Sequence, residues 1–127
     1  MPKLKLCMIG CRGHYGIVLT DLPALPEVEV AGISSGCGDA VSPLKEACAK
    51  LGLSPAEHGD WRKMLDAVKP DIVCIDGPFE LHAEMCVEAL KRKAHVICEK
   101  PIALEIADLR RVEKAFPEAG GVHLTAM

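Results

Sequence analysis

A regular alternation of short apolar runs with amphipathic segments constrains the fold more than any other feature of the sequence. Buried strands are predicted at residues 4–9, 28–33, 71–75, 95–98 and 122–127, with a weaker one within 53–59. Helices are predicted between them, at residues 15–22, 42–51, 60–68, 81–92 and 106–116. Strands that alternate with helices form a parallel sheet covered on both faces. Right-handed crossovers then favour a doubly wound α/β sheet with a ligand crevice at the carboxyl ends of its strands.

Individual residues predict where the helices begin and end. Ser42 and Asp60 are predicted to cap the second and third helices, and Pro117 and Gly120-Gly121 are predicted to stop the last one. A chain of 127 residues is expected to form one domain, spanning 1–127. Because the final strand pattern runs to Met127, we expect the chain to stop within the sixth strand, as the first domain of a longer protein or a shortened descendant of one.

Charge and composition exclude several classes of partner. The net charge is −3 and only 3% of residues are aromatic, which argues against nucleic acid and anionic membranes as partners. No apolar run approaches the length of a membrane span, and no signal peptide is evident, so a cytoplasmic location is predicted. The seven cysteines are widely spaced, and we interpret them as reduced core thiols. A metal cluster of Cys7, Cys74 and Cys98 is the less favoured alternative, so no metal is predicted.

A glycine-bearing loop lies between the first strand and the first helix. Glycines at this place let backbone N–H groups approach a pyrophosphate. The spacing here is Gly-x-x-Gly-x-x-Gly, from Gly10 to Gly16, rather than Gly-x-Gly-x-x-Gly. Arg12 stands where the second glycine would be, and it could contact a phosphate instead. We predict a nucleotide site, with a plain turn as the alternative; its candidate residues are Gly10, Arg12, Gly13, His14 and Tyr15.

The second strand ends at Ser34 and Ser35, where an acidic residue usually accepts the ribose hydroxyls of NAD. Small hydroxyl side chains leave room for the 2′-phosphate of NADP, but no arginine follows to pair with it. The nearest acid is Asp39 and the nearest base is Lys45. The predicted cofactor is therefore NAD or NADP, without a choice between them.

Candidate site residues also follow the fourth and fifth strands, whose carboxyl ends are predicted to lie at the same edge of the sheet. Gly77, Pro78 and His82 follow the fourth strand, beside the expected nicotinamide end of the crevice. Glu99 and Lys100 follow the fifth strand. A lysine at this edge can polarise a hydroxyl or carbonyl oxygen, whereas the alternative is a solvated pair of charges.

The segment 71–103, with its Pro-x-x-x-His and Glu-Lys-Pro motifs, resembles the Gfo/Idh/MocA family of NAD(P)-dependent sugar oxidoreductases, and Asp60-Trp61 fits too. The resemblance covers nearly the whole chain and implies a Rossmann fold. It implies that Lys100 is the catalytic lysine near the nicotinamide and the substrate hydroxyl, and that Glu99 neighbours the cofactor ribose. Pro78 and His82 correspond to the loop beside the cofactor, and Gly10, Gly13 and Gly16 take the place of the phosphate loop.

The resemblance also implies what the chain lacks. We expect the C-terminal domain of the family, which carries much of the substrate pocket and the acid/base residue, to be absent from this chain. We therefore expect an NAD(P)-binding domain of a sugar or polyol dehydrogenase that is inactive alone, with a small-molecule substrate only in a full enzyme. The alternatives are a non-enzymatic nucleotide-binding or dimerising module and a single-domain protein that binds CoA or another nucleotide. An exposed sixth strand favours a homo-oligomer.

Overall fold

The computed structural model describes all 127 residues as one parallel sheet with helices on both faces. The strands are β1 (Leu4–Ile9), β2 (Val28–Ser34), β3 (Ala56–Glu57), β4 (Ile72–Ile75), β5 (His95–Cys98) and β6 (Leu124–Ala126). The helices are α1 (Tyr15–Asp21), α2 (Ser42–Lys50), α3 (Trp61–Val68), α4 (His82–Lys91) and α5 (Ile106–Ala119), with 3-10 turns at Leu22–Ala24 and Phe79–Leu81. The strand order β3-β2-β1-β4-β5-β6 confirms the predicted doubly wound sheet.

The central strand β1 is buried on both sides and divides the interior into two cores. Cys7 and Ile9 pack into the larger core, which α3, α4 and α5 cover. Leu6 and Met8 point the other way, into the core that α1 and α2 cover. This alternation follows from the period of two along a strand. It explains why the run is continuously apolar in the sequence.

The chain order reverses beside β1, which pairs with β2 on one side and with β4 on the other. Ile9 is in register with both Ser34 and Ile75, and Ile75 is in register with Cys98. The four strands therefore end at one level. The loops that follow them meet at a single edge of the sheet, the place where doubly wound folds bind ligands.

The predicted signals for the starts and ends of helices are confirmed in part. Asp60 caps α3 as predicted, since its side chain accepts from the N–H groups of Arg62 and Lys63. The prediction for Ser42 is wrong, because Val41 adopts a helical conformation and becomes the cap, which places Ser42 inside the first turn. Of the two signals predicted to stop α5, Pro117 lies inside its last turn, whereas Gly120, with a φ of 68°, ends the helix as predicted.

The cysteines are all free thiols. Cys7 and Cys98 face the larger core, whereas Cys74 faces the other core. The three thiols of the alternative metal cluster therefore lie on opposite faces of the sheet. Burial raises the pKa of Cys7 and of Cys74 to about 12. No helix has both the length and the apolar character required to cross a membrane.

Candidate cofactor-binding site

A small cavity opens at the carboxyl edge of the sheet, between the glycine loop and the segments that follow β4 and β5. Its volume is about 220 Å³. The residues that line it are Arg12, Gly13, His14, Phe79, Glu80, Glu99 and Lys100. The structure thus brings residues predicted from two distant motifs into one cavity.

Burial separates the predicted site residues into two groups. Six of them are buried: Gly10, Ser34, Gly77, Pro78, His82 and Glu99. The other six are partly or fully exposed: Arg12, Gly13, His14, Tyr15, Ser35 and Lys100. The exposed residues can meet a ligand directly, whereas contact of the buried residues with a cofactor stays a prediction.

The glycine loop packs tightly against the ends of β4 and β5. Gly10 has a φ of +84°, and a Cβ there would lie 2.5 Å from the carbonyl oxygen of Asp76. A Cβ on Gly13 would lie 2.6 Å from Oε2 of Glu99. A Cβ on Gly16 would have no neighbour within 4 Å, so space does not require glycine there. The respaced glycines at positions 10 and 13 therefore serve the approach of the loop to the sheet.

The backbone N–H groups of the loop point toward that sheet edge. Four consecutive groups donate inward: Arg12 to the carbonyl oxygen of Asp76 (3.0 Å), Gly13 and Tyr15 to Oδ2 of Asp76 (2.9 Å each), and His14 to Oε2 of Glu99 (2.7 Å). These are the groups that a dinucleotide fold ordinarily presents to a pyrophosphate. In this chain two side-chain carboxylates take that position.

Asp76 is a residue of the candidate site that the sequence pattern indicates only as part of a turn. It is 1% exposed, and Oδ1 has no hydrogen-bond partner. Burial raises the pKa of Asp76, and the charge of Glu99 adds to this, while the hydrogen bonds from Gly13 and Tyr15 oppose it. An acid placed directly after a buried strand, opposite a glycine loop, is the signal that could have identified it.

Glu99, directly after β5, accepts hydrogen bonds from the glycine loop and so holds that loop against the sheet. Its side chain is 2% exposed, and Oε2 lies 2.7 Å from both the backbone nitrogen and Nδ1 of His14, while Oε1 accepts from the N–H of Lys100. Burial opposes ionisation, but these hydrogen bonds outweigh it and keep the pKa of Glu99 below its usual value. The resemblance placed Glu99 beside the cofactor ribose, whereas both of its oxygens are engaged here.

His82 lies under the cleft rather than in it. Its ring is fully buried, with Nδ1 2.8 Å from the carbonyl oxygen of Pro101 and Nε2 2.8 Å from that of Gly77. Two carbonyl acceptors are both satisfied only when both ring nitrogens carry protons. Burial lowers the pKa of His82, but the hydrogen bonds to Cys98 and to these carbonyl groups raise it to about 9. His82 therefore ties together the segments that follow β4 and β5, including the cis peptide between Lys100 and Pro101.

The end of β2 is occupied by local hydrogen bonds and one ion pair. Ser34 Oγ accepts from the N–H of Gly36, and Ser35 Oγ accepts from the N–H of Gly38. The guanidinium of Arg12 reaches across from the glycine loop to Asp39, at 2.6 Å and 3.1 Å from its two carboxylate oxygens. Asp39, which in the sequence is only the nearest acid, is therefore the partner of the predicted phosphate ligand.

Comparison with known proteins identifies the family. The model of the oxidoreductase family with an NAD-binding Rossmann fold matches residues 4–126. The chain belongs to the Gfo/Idh/MocA family. It represents the NAD-binding Rossmann domain of that family, which confirms the resemblance, the fold and the class of cofactor predicted from the sequence.

Individual relatives agree with this assignment. Myo-inositol 2-dehydrogenase of Thermotoga maritima is 33% identical over 122 residues, which are 96% of this chain and 35% of the relative. A candidate oxidoreductase from Thermotoga maritima superimposes with a TM-score of 0.91 at 35% identity, over 98% of this chain and 38% of that one. Scyllo-inositol dehydrogenase of Lactobacillus casei, solved with NAD(H) and scyllo-inositol, has a TM-score of 0.78, and at 21% identity it shares the fold alone, over 98% of this chain and 36% of its own. The chain spans about a third or less of the length of the curated relatives it matches.

Proposed function

We propose that the chain binds NAD or NADP in the cleft at the carboxyl edge of the sheet, as the cofactor domain of a dehydrogenase for inositol-type or sugar-type alcohols. The observation that carries this proposal is the convergence of the glycine loop and Lys100 on one cavity beside β1. The inositol dehydrogenases among the relatives support the substrate class. Arg12 would face the phosphates, with Gly13 and His14 lining the cavity beside it, and Lys100 would face the reacting end.

Oxidation of such an alcohol moves a hydride from the carbinol carbon and a proton from its hydroxyl group. A bound nicotinamide supplies the hydride acceptor. Lys100, exposed at the cavity, would donate a hydrogen bond to the substrate oxygen and stabilise the negative charge that develops there. A base from the substrate-binding part of the enzyme would take the proton.

Titration of the purified chain with NADH and with NADPH, followed by nicotinamide fluorescence, tests the cofactor site. We expect saturable binding, and a preference for one ligand would resolve the choice that Ser34 and Ser35 leave open. Binding of neither ligand would overturn the proposal in favour of a non-enzymatic module. The occupied amide groups of residues 12–15 are the observation that favours that second candidate.

The role of Lys100 is tested in the complete enzyme. Lys100→Ala should lower kcat much more than it weakens cofactor binding, because the ammonium acts on the substrate oxygen. Equal losses in both quantities would show that Lys100 only binds the cofactor. Lys91→Ala, on the solvent side of α4, is the control and should change neither.

We also propose an oligomeric state and a cellular location for the protein. β6 forms the edge of the sheet, pairs only with β5, and contains exposed residues. Such an edge can pair with a second copy, so a homo-oligomer in the cytoplasm is the arrangement that we propose. Sedimentation of the purified chain over a range of concentrations tests it, and a monomer throughout would contradict it.

A further inference from the structure

The backbone N–H groups of the glycine loop, which would ordinarily bind a pyrophosphate, already donate hydrogen bonds within the protein. The N–H groups of Gly13, His14 and Tyr15 each donate to a carboxylate at 2.9 Å or less. Both carboxylates, of Asp76 and Glu99, are almost completely buried. A phosphate that entered from the cavity would find no free N–H group at these three residues, and it would approach two acidic side chains lying behind them.

A cationic side chain stands in the same cavity. The side chain of Arg12 is 47% exposed and lines the cavity with Gly13, His14 and Lys100. Its planar guanidinium presents two donors to Asp39, at 2.6 Å and 3.1 Å. This two-point geometry for a carboxylate also fits a phosphate group.

The ion pair between Arg12 and Asp39 is one that a ligand can displace. Asp39 is 38% exposed, and it lies between glycines and α2 in the segment that follows β2. An ion pair between exposed groups contributes little to stability, since water screens it. A phosphate group can compete with one carboxylate for the same guanidinium, because its oxygens accept the same bidentate, charge-assisted hydrogen bonds.

We infer that Arg12, rather than the N–H groups of residues 13–15, binds the phosphate of the dinucleotide, and that it does so by exchanging the carboxylate of Asp39 for phosphate oxygens. This rests on the proposed function. Asp39 then acts as a competitor that lowers affinity for the nucleotide. Asp76 and Glu99 keep the loop seated on the sheet throughout, so the exchange takes place on the β2 side of the cleft.

The test is calorimetric titration with adenosine, ADP and adenosine 2′,5′-bisphosphate, of wild type and of Arg12→Gln, Asp39→Asn and Arg62→Gln. Arg12→Gln should weaken ADP binding roughly 10- to 100-fold and leave adenosine binding unchanged. Asp39→Asn should tighten ADP binding several-fold. Arg62, an exposed arginine paired with Glu84, is the matched control and should change nothing.

The probes separate the outcomes. A loss confined to the 2′,5′-bisphosphate supports Arg12 as the ligand of a 2′-phosphate, and a loss for ADP supports it as the ligand of the pyrophosphate. Wild-type affinity of Arg12→Gln for both phosphate compounds would overturn the inference while the proposed function stands. Failure of the wild type to bind these compounds and NADH would overturn both.

Discussion

On the β2 side of the cleft the charged groups face water, whereas on the β4–β5 side they are buried beneath the glycine loop. Arg12 and Asp39 are 47% and 38% exposed and pair with each other, with the side chain of Cys37 beside both. Asp76 and Glu99 are 1% and 2% exposed and accept the N–H groups of the loop. Charged groups on the first side are free to exchange partners with a ligand, while those on the second determine the shape of the site. Substitutions on the two sides should therefore have different effects.

The largest effect is expected at Asp76. Asp76→Ala removes the acceptor of two N–H groups, and it should lower the free energy of unfolding by about 4 kcal/mol, since each unsatisfied group costs about 1–3 kcal/mol. Urea unfolding measures the change. Asp76→Asn keeps one acceptor and should lose less. Asp71→Ala, which removes a single exposed hydrogen bond to the N–H of Lys5, is the control. Equal losses at Asp76 and Asp71 would contradict the structural role.

His82 should make stability depend on pH. Its pKa in the folded state, about 9, lies above the value of 6.5 for an unperturbed histidine. The folded state therefore binds the proton more tightly, and the contribution of His82 is fully present below pH 6.5 and is lost as pH rises through 9. It should reach about 3 kcal/mol at most.

The measurement is the difference in unfolding free energy between wild type and His82→Gln at several pH values. That difference should shrink between pH 6.5 and 9. A flat difference over this range would show that the ring of His82 is neutral in the folded protein. Asp76 and Cys98 interact electrostatically with this ring, so the comparison is read between pH 6.5 and 9, where the titration of His82 is expected.

The loop glycines offer a matched pair of substitutions. Gly13→Ala places a methyl group 2.6 Å from Oε2 of Glu99 and should cost about 1–3 kcal/mol, because the loop must move away from the buried carboxylates. Gly16→Ala adds its methyl group in open space inside α1, where alanine should be neutral or stabilising by up to about 1 kcal/mol. Thermal unfolding of the two variants compares them directly. A similar loss in both would mean that the loop is not seated on Glu99.

The contacts of Asp76 and of Arg12 show which features of the site could not be predicted from the sequence. Strand positions followed from local apolar runs, and the convergence of the glycine loop with Lys100 followed from the register of parallel strands. The role of Asp76 did not follow, because it depends on the loop folding back onto a strand end 61 to 63 residues away. The pairing of Arg12 with Asp39 spans 27 residues and depends on side-chain reach rather than on any periodic pattern.

The smallest effect on stability is expected at Arg12, and it completes the contrast between the two sides. Arg12→Gln removes an ion pair whose members both face water, so the urea midpoint of unfolding should stay at the wild-type value in low salt and in high salt alike. Nucleotide affinity, by contrast, should fall in the same variant, and the wild type should lose affinity for ADP as salt is added. A variant that loses stability and affinity together would place Arg12 among the groups that shape the site, with Asp76 and Glu99, rather than among those that exchange partners with a ligand.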